Sequence, residues 1–150
     1  MVLSFRDYIN GSGFSKALLG ISGGIDSALS ASLACDSLGK KNVMGVFLPT
    51  KFTSRESLKD SEMLCKNLDI KLEHINIEYL RKQFNLTLKD PFKKFTKDVT
   101  EENIQSRIRG SILMAMSNKL GSILITTGNK SELAAVSYTH LTLPTRRGGG

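Results

Sequence analysis

The chain has 150 residues, 40% of them hydrophobic and 23% charged, and 21 Lys and Arg outweigh 14 Asp and Glu for a formal net charge of +7. That length suits one domain with a real core, and no apolar run approaches the ~18 residues a membrane span requires. The opening Met1-Val2-Leu3-Ser4-Phe5-Arg6-Asp7 lacks the layout of a signal peptide.

In chain order, residues 1–10 read as the end of a helix closed by Asn10-Gly11-Ser12-Gly13. Ala17–Ile21 is the first expected strand, and Ile25–Leu38 a helix stopped at Gly39. A second strand covers Asn42–Leu48. After Pro49-Thr50, Thr53 or Ser54 can cap a helix reaching Leu68. Lys71–Ile77 is expected as the third strand, 78–87 as a short helix, and 88–99 as a basic loop around Pro91. Thr100 before Glu101-Glu102-Asn103 gives a capping-box arrangement opening a long helix to Leu120. Gly121 stops it, and Ser122–Thr126 is the fourth strand. This alternation predicts an α/β fold: a Rossmann-like parallel sheet covered by helices on both faces. Ligands then belong at the carboxyl ends of the strands.

The lysines are scattered with little aromatic interleaving, so they are expected to form a solvated basic face that attracts anionic nucleotides. Neither nucleic acid nor a membrane is an expected partner. Cys35 and Cys65 fall on separate expected helices. They read as buried apolar residues of a cytoplasmic protein, not as a disulfide or a metal pair.

The most informative segment is Leu18-Leu19-Gly20-Ile21-Ser22-Gly23-Gly24-Ile25-Asp26-Ser27. Two glycines between a strand and a helix let the backbone curl into an anion nest with no Cβ to block approach. The helix N-terminus adds unpaired N–H groups and partial positive charge. Ser22 and Ser27 can donate hydroxyls to phosphate, and Asp26 suits a Mg²⁺ carried on it. No lysine follows the glycines, which excludes the commonest phosphate loop. An ordinary glycine turn would leave both serines and Asp26 without a reason.

Ile104, Ile108 and Ile112 recur every four residues, widened by Leu113, Ala115 and Met116, and form a core stripe. Asn103 and Arg107 lie one turn apart on another face, where both can meet one ligand; Arg109 points elsewhere. In Thr126-Thr127-Gly128-Asn129-Lys130-Ser131-Glu132, Thr127 can bond a nucleotide and Glu132 can share a metal with Asp26.

Ser-Gly-Gly-Ile-Asp-Ser (22–27) resembles the pyrophosphate loop of the ATP-pyrophosphatases, enzymes that cleave ATP between its α and β phosphates. Pro49 with Thr53-Ser54, Glu101 to Gly110, Leu113 to Lys119 and Thr126 to Leu133 follow in the order of the NAD synthetase family. Ser117-Asn118-Lys119 and Thr127 to Glu132 are similar to its glutamine-dependent branch. The resemblance covers roughly residues 5–134. It implies the adenine nucleotide α-hydrolase type of fold, with ATP bound by Gly20, Ile21, Ser22, Gly23, Gly24, Ile25, Asp26, Ser27 and Thr127. It further implies Mg²⁺ on Asp26 and Glu132, and deamido-NAD⁺ facing Asn103, Arg107, Arg109 and Glu132. The implied reaction adenylates the nicotinate carboxylate of deamido-NAD⁺ with ATP, then replaces AMP by ammonia drawn from glutamine. No side-chain nucleophile is implied, and family members are homo-oligomers.

Two departures accompany the resemblance. The 150 residues are expected to hold no glutaminase domain, and after Ala134 the text departs from the family's Gly-Tyr-Ala-Thr-like continuation. Val136 to Leu141 reads as a translated transposase-adapter sequence, so residues 135–150 are expected to be a non-native tail. On that expectation 1–134 is a partial synthetase domain; the alternatives to NAD synthesis are an inactive nucleotide-binding fragment and another amidating or tRNA-modifying ATP-pyrophosphatase. His140 then has no ligand role, and His74 is expected as an ordinary strand residue.

Overall fold

In the computed structural model the described residues are 2–126, with side chains described from Asp7 onward. Thr127, Glu132 and residues 135–150, for which the sequence carries expectations, lie outside them.

The elements run α1 (Val2–Gly11), β1 (Ala17–Gly20), α2 (Ile25–Leu38), β2 (Val43–Phe47), α3 (Arg55–Leu68), β3 (Lys71–His74), α4 (Glu78–Thr87), α5 (Lys89–Phe92), α6 (Val99–Leu120) and β4 (Ile123–Ile125). The four strands form one parallel sheet in the order β3-β2-β1-β4. β1 is central, with Leu18 opposite Met44 on one side and Leu124 on the other. Because β4 joins on the side of β1 away from β2, strand order reverses beside β1. Its carboxyl end is therefore where an open α/β sheet forms a ligand crevice.

Alternate residues of each strand feed two cores. Ala17, Leu19 and Val43 pack with Ala31 and Ala34 of α2 and Cys65 of α3. Leu18 and Val46 pack with Ile77 and Ile108, bordered by Ile104, Ile112, Leu113 and Met116. The expected isoleucine stripe of α6 is thus its core face. Burial on both faces explains why β1 and β2 read as continuous apolar runs. Cys35 and Cys65 are both free, and burial pushes the Cys65 thiol up to about 11, which keeps it an inert packing group.

The expected strands are each a residue or more longer than those observed, yet hydrogen bonding continues past the ends. Ile21 N–H donates to Val46 O at 2.8 Å, and Ile75 and Ile77 donate to Phe47 O and Pro49 O, both at 2.9 Å. Two expectations are corrected. The stretch around Pro91 is not all loop, because Lys89–Phe92 makes a helical turn. Proline is tolerated there, since the first N–H groups of a helix have no intrahelical partner. The capping box of α6 belongs to Asp98, not Thr100: the Asp98 carboxylate accepts from Thr100 N–H at 2.8 Å, and Asp98 N–H donates to Glu101 Oε1 at 2.8 Å. A carboxylate in this position also complements the helix dipole, so it wins over the neighbouring hydroxyl.

Ser54 caps α3 as expected, accepting from Ser57 N–H at 3.1 Å. Ser54→Ala is expected to lose about 1 kcal/mol in urea unfolding, and Ser54→Gly only a few tenths. Equal losses in both would mean that the hydroxyl is not the cap.

Candidate nucleotide site

The segment Gly20 to Ser27 leaves the central strand and enters α2 within a few residues. Gly20 stays close to α6: a Cβ there would lie 3.2 Å from Leu113 Cδ1. Ile21 is buried and bonded to β2, which fixes the start of the loop. Gly23 has φ +87°, a conformation that glycine adopts without strain. A Cβ at Gly23 would sit 3.0 Å from Ser57 O and 3.2 Å from Asp60 Cβ, so the loop rests against the first half of α3.

Gly24 is the N-cap of α2 and, lacking a side chain, leaves the helix without a side-chain cap. The first N–H groups of α2 therefore have no side chain covering them, the condition under which a helix end accepts an anion. Ser22 is exposed, and its Oγ accepts weakly from Gly24 N–H at 3.4 Å. Ser27 is 1% exposed, and its hydroxyl donates to Gly24 O at 3.0 Å. In this arrangement Ser27 shapes the loop from inside while Ser22 stays open to a ligand.

Ile25 and Asp26 are both exposed at the loop. Asp26 lies in the first turn of α2, where its charge suits the helix end but opposes a bare phosphate. An exposed carboxylate beside an anion nest is a hard oxygen donor, which fits Mg²⁺ shared with phosphate oxygens. Among the described residues no group of three or more His, Cys, Asp or Glu gathers as a metal cluster.

The residues expected on α6 divide. Asn103 and Arg107 are exposed on its first half. Arg109 turns inward: its Nε donates to Leu48 O at 3.0 Å, across 61 residues of sequence. Burial pushes its guanidinium below the ordinary value, and it remains a cation. Arg109 thereby anchors the carboxyl end of β2, beside the strand that carries the loop.

A second group at this edge has no counterpart among the expected site residues. Glu78 Oε1 accepts from Lys51 N–H at 3.0 Å and from Arg81 Nε at 2.9 Å, while Glu78 Oε2 meets Arg81 Nη2 at 2.6 Å. The Arg81 fork and the Lys51 N–H hold the Glu78 carboxyl down at about 2, against an ordinary 4.5. Glu78 and Arg81 could be paired by their i,i+3 spacing, but the Lys51 partner lies 27 residues back and leaves no sequence signal. A carboxyl lowered in the folded state adds stability above its unfolded value and loses it as pH falls from 4.5 toward 2. The gap in unfolding free energy between the wild-type chain and Glu78→Gln should be widest at neutral pH and should narrow below 4.5. A gap constant with pH would contradict this.

A separate groove of about 500 Å³ lies among α4, α5 and the start of α6, with Leu88, Phe92, Phe95 and Lys97 among its lining residues. None of the residues of the 20–27 loop lines it.

The parallel sheet and the glycine-rich turn after its central strand define a Rossmann-like α/β protein of the adenine nucleotide α-hydrolase type. A family model described as NAD synthase matches residues 1–141, and the chain belongs to that family. It is 52% identical over 134 residues to a glutamine-dependent NAD(+) synthetase of Rhodobacter capsulatus, an alignment covering 89% of this chain and 24% of the relative. A structure of the glutamine-dependent NAD+ synthetase of Acinetobacter baumannii in complex with ADP superposes with a TM-score of 0.82 at 41% identity, covering 91% of this chain and 26% of that one. The NH3-dependent NAD synthetase of Campylobacter jejuni, solved with a nitrate ion, gives 0.74 at 33% identity, covering 88% and 55%. The chain spans about a quarter of the length of the curated relatives it matches, 23% and 24% for the first two.

Proposed function

We propose that this chain carries the ATP-handling part of a cytoplasmic enzyme that amidates deamido-NAD⁺ to NAD⁺, with ammonia taken from glutamine. The reading rests above all on the Ser22–Ser27 loop at the carboxyl end of the central strand. It is supported by the names of the relatives and by the ADP in one of their structures.

In this reading the backbone of Gly23 and Gly24 and the open end of α2 receive the β and γ phosphates, with Ser22 donating its hydroxyl. Ile21 and Ser27 keep the loop in that shape. Thr127 adds a contact to ATP, Asn103 and Arg107 face deamido-NAD⁺, and Arg109, bonded to Leu48 O, holds the end of β2 instead of facing the substrate as the resemblance implied. Asp26 with Glu132 would hold Mg²⁺, which would supply positive charge against the departing pyrophosphate. The nicotinate carboxylate attacks the α phosphorus, so that the bond to the bridging oxygen breaks and pyrophosphate leaves with its electrons. Ammonia then attacks the acyl carbon, AMP departs, and the nitrogen loses a proton to leave the amide. No side-chain nucleophile takes part. The chain acts by alignment and by fixed positive ends aimed at developing negative charge. Subunits are proposed to associate as homo-oligomers.

Thermal unfolding of the 150-residue chain tests this without requiring turnover. A ligand at a hundred times its Kd adds about 2.7 kcal/mol to the folded state. ATP with Mg²⁺ should raise the midpoint, and deamido-NAD⁺ should raise it further where xanthylate does not. No response to ATP, or equal responses to the two acids, would overturn the proposal.

A further inference from the structure

We propose that Glu78 and Arg81 of α4 are positioning residues for the nucleotide loop, acting through the turn between β2 and α3. The inference rests on the reading of residues 20–27 as a nucleotide site.

The path is continuous. The Glu78 carboxylate is held by a two-pronged Arg81 contact, and the two side chains are only 17% and 11% exposed. Asn76 Oδ1, one residue before the N-cap Ile77, accepts from Glu78 N–H at 2.8 Å and steadies the entry to α4. So fixed, Glu78 uses one oxygen on the backbone N–H of Lys51. Arg81 lies over the Phe52 ring, 4.9 Å from its centre, and the Lys51 ammonium is 5.1 Å from the same ring. Phe52 is itself 67% exposed, so the cations rather than a core hold it.

The turn that follows is tight. Thr50 N–H donates to Thr53 Oγ1 at 2.9 Å, Phe52 N–H to Thr50 Oγ1 at 3.2 Å, and Thr53 N–H to Thr50 O at 3.1 Å. Ser54 comes next, caps α3, and so fixes where that helix begins. One turn into α3, Ser57 O stands 3.0 Å from the space a Cβ on Gly23 would need. A shift of the turn at Lys51 moves the first turn of α3, and with it the wall that supports Gly23.

The pair is mostly covered, so its loss lowers stability as well. Because one carboxylate oxygen is spent on a loop N–H at the ligand edge, affinity should fall further than the drop in melting temperature accounts for.

The experiment compares the wild-type chain with Glu78→Ala, Arg81→Met and a control, Ile112→Val, in the core beneath α6. Three quantities are read: melting temperature, calorimetric affinity for ATP with Mg²⁺, and amide hydrogen exchange at Gly23, Lys51 and Ser57. The expected result is an affinity loss of fivefold or more in Glu78→Ala and Arg81→Met, with faster exchange at all three amides. Ile112→Val should keep its affinity within twofold at an equal or larger drop in melting temperature. Unchanged affinity in the Glu78 and Arg81 variants, or an equal loss in the control, overturns the inference. If the wild-type chain does not bind ATP, the proposed function fails. Exchange at Gly23 then decides the inference alone, with acceleration in Glu78→Ala supporting it and no change overturning it. Should Glu78→Ala not fold, Glu78→Gln takes its place with the same readouts.

Discussion

Gly23→Ala is expected to fold but to lose more than tenfold in ATP affinity by calorimetry. Two effects add at this position. Alanine at φ +87° is strained, at a cost of roughly 1–3 kcal/mol. Its Cβ would also press on Ser57 O at 3.0 Å and Ser57 Cα at 3.3 Å, backbone atoms of a helix that cannot swing aside. The chain relieves both by moving the loop away from α3, which opens the phosphate nest; each 1.4 kcal/mol so lost is a factor of ten in binding. Gly13→Ala is the matched control. It has φ +82° but nothing within 4 Å of its Cβ position, so it should lose stability and keep ATP affinity. Gly24→Ala should be milder still, with φ −84° and only Ser22 Oγ at 3.5 Å. Equal affinities in the Gly23 and Gly13 variants would mean that the loop does not hold the nucleotide.

Gly45→Ala should be the most damaging single methyl group in the sheet. On propensity alone alanine is no worse than glycine in a strand. Here the added Cβ would meet Ile21 Cγ1 at 2.7 Å and Cys65 Sγ at 3.2 Å, all within one buried cluster. Overpacking of this kind costs about 1–3 kcal/mol, a large part of the ~5–15 kcal/mol that a domain has. Ile21→Ala removes the colliding atom and by itself costs about 2–5 kcal/mol. Combined, the two changes should destabilise by at least about 1 kcal/mol less than their sum, as contacting residues do in a double-mutant cycle. Strict additivity in urea unfolding would show that Ile21 is not what glycine makes room for.

These two glycines illustrate how legibility varied along the chain. Gly23 stood out because a glycine pair between an apolar run and a helix has a local chemical meaning. Gly45 looked like an ordinary strand residue, since what excludes a Cβ there comes from Ile21 and from α3, far along the sequence. The same division holds elsewhere. Four parallel strands, the long helices, the Ser54 cap and the core stripe of α6 follow from local periodicity and turn chemistry. The Lys89–Phe92 turn was hidden because proline reads as a break unless its place in the first turn is known. Asp98 is masked as a cap in the sequence because Thr100 offers a competing oxygen two residues later. An ideal helical wheel turns Arg109 away from Arg107 but cannot show its bond to Leu48 O, which depends on how α6 crosses the sheet. Thr127 and Glu132 remain proposals read from sequence and family resemblance.

Titrating pyrophosphate with Mg²⁺ into the isotopically labelled chain, while following its backbone amide resonances, tests directly whether the Ser22–Ser27 loop receives the phosphates. Saturable shifts centred on Gly23, Gly24 and Asp26, lost in Gly23→Ala, are the expected result. Shifts confined to the groove lined by Leu88, Phe92 and Phe95, with the loop amides unmoved, would contradict it.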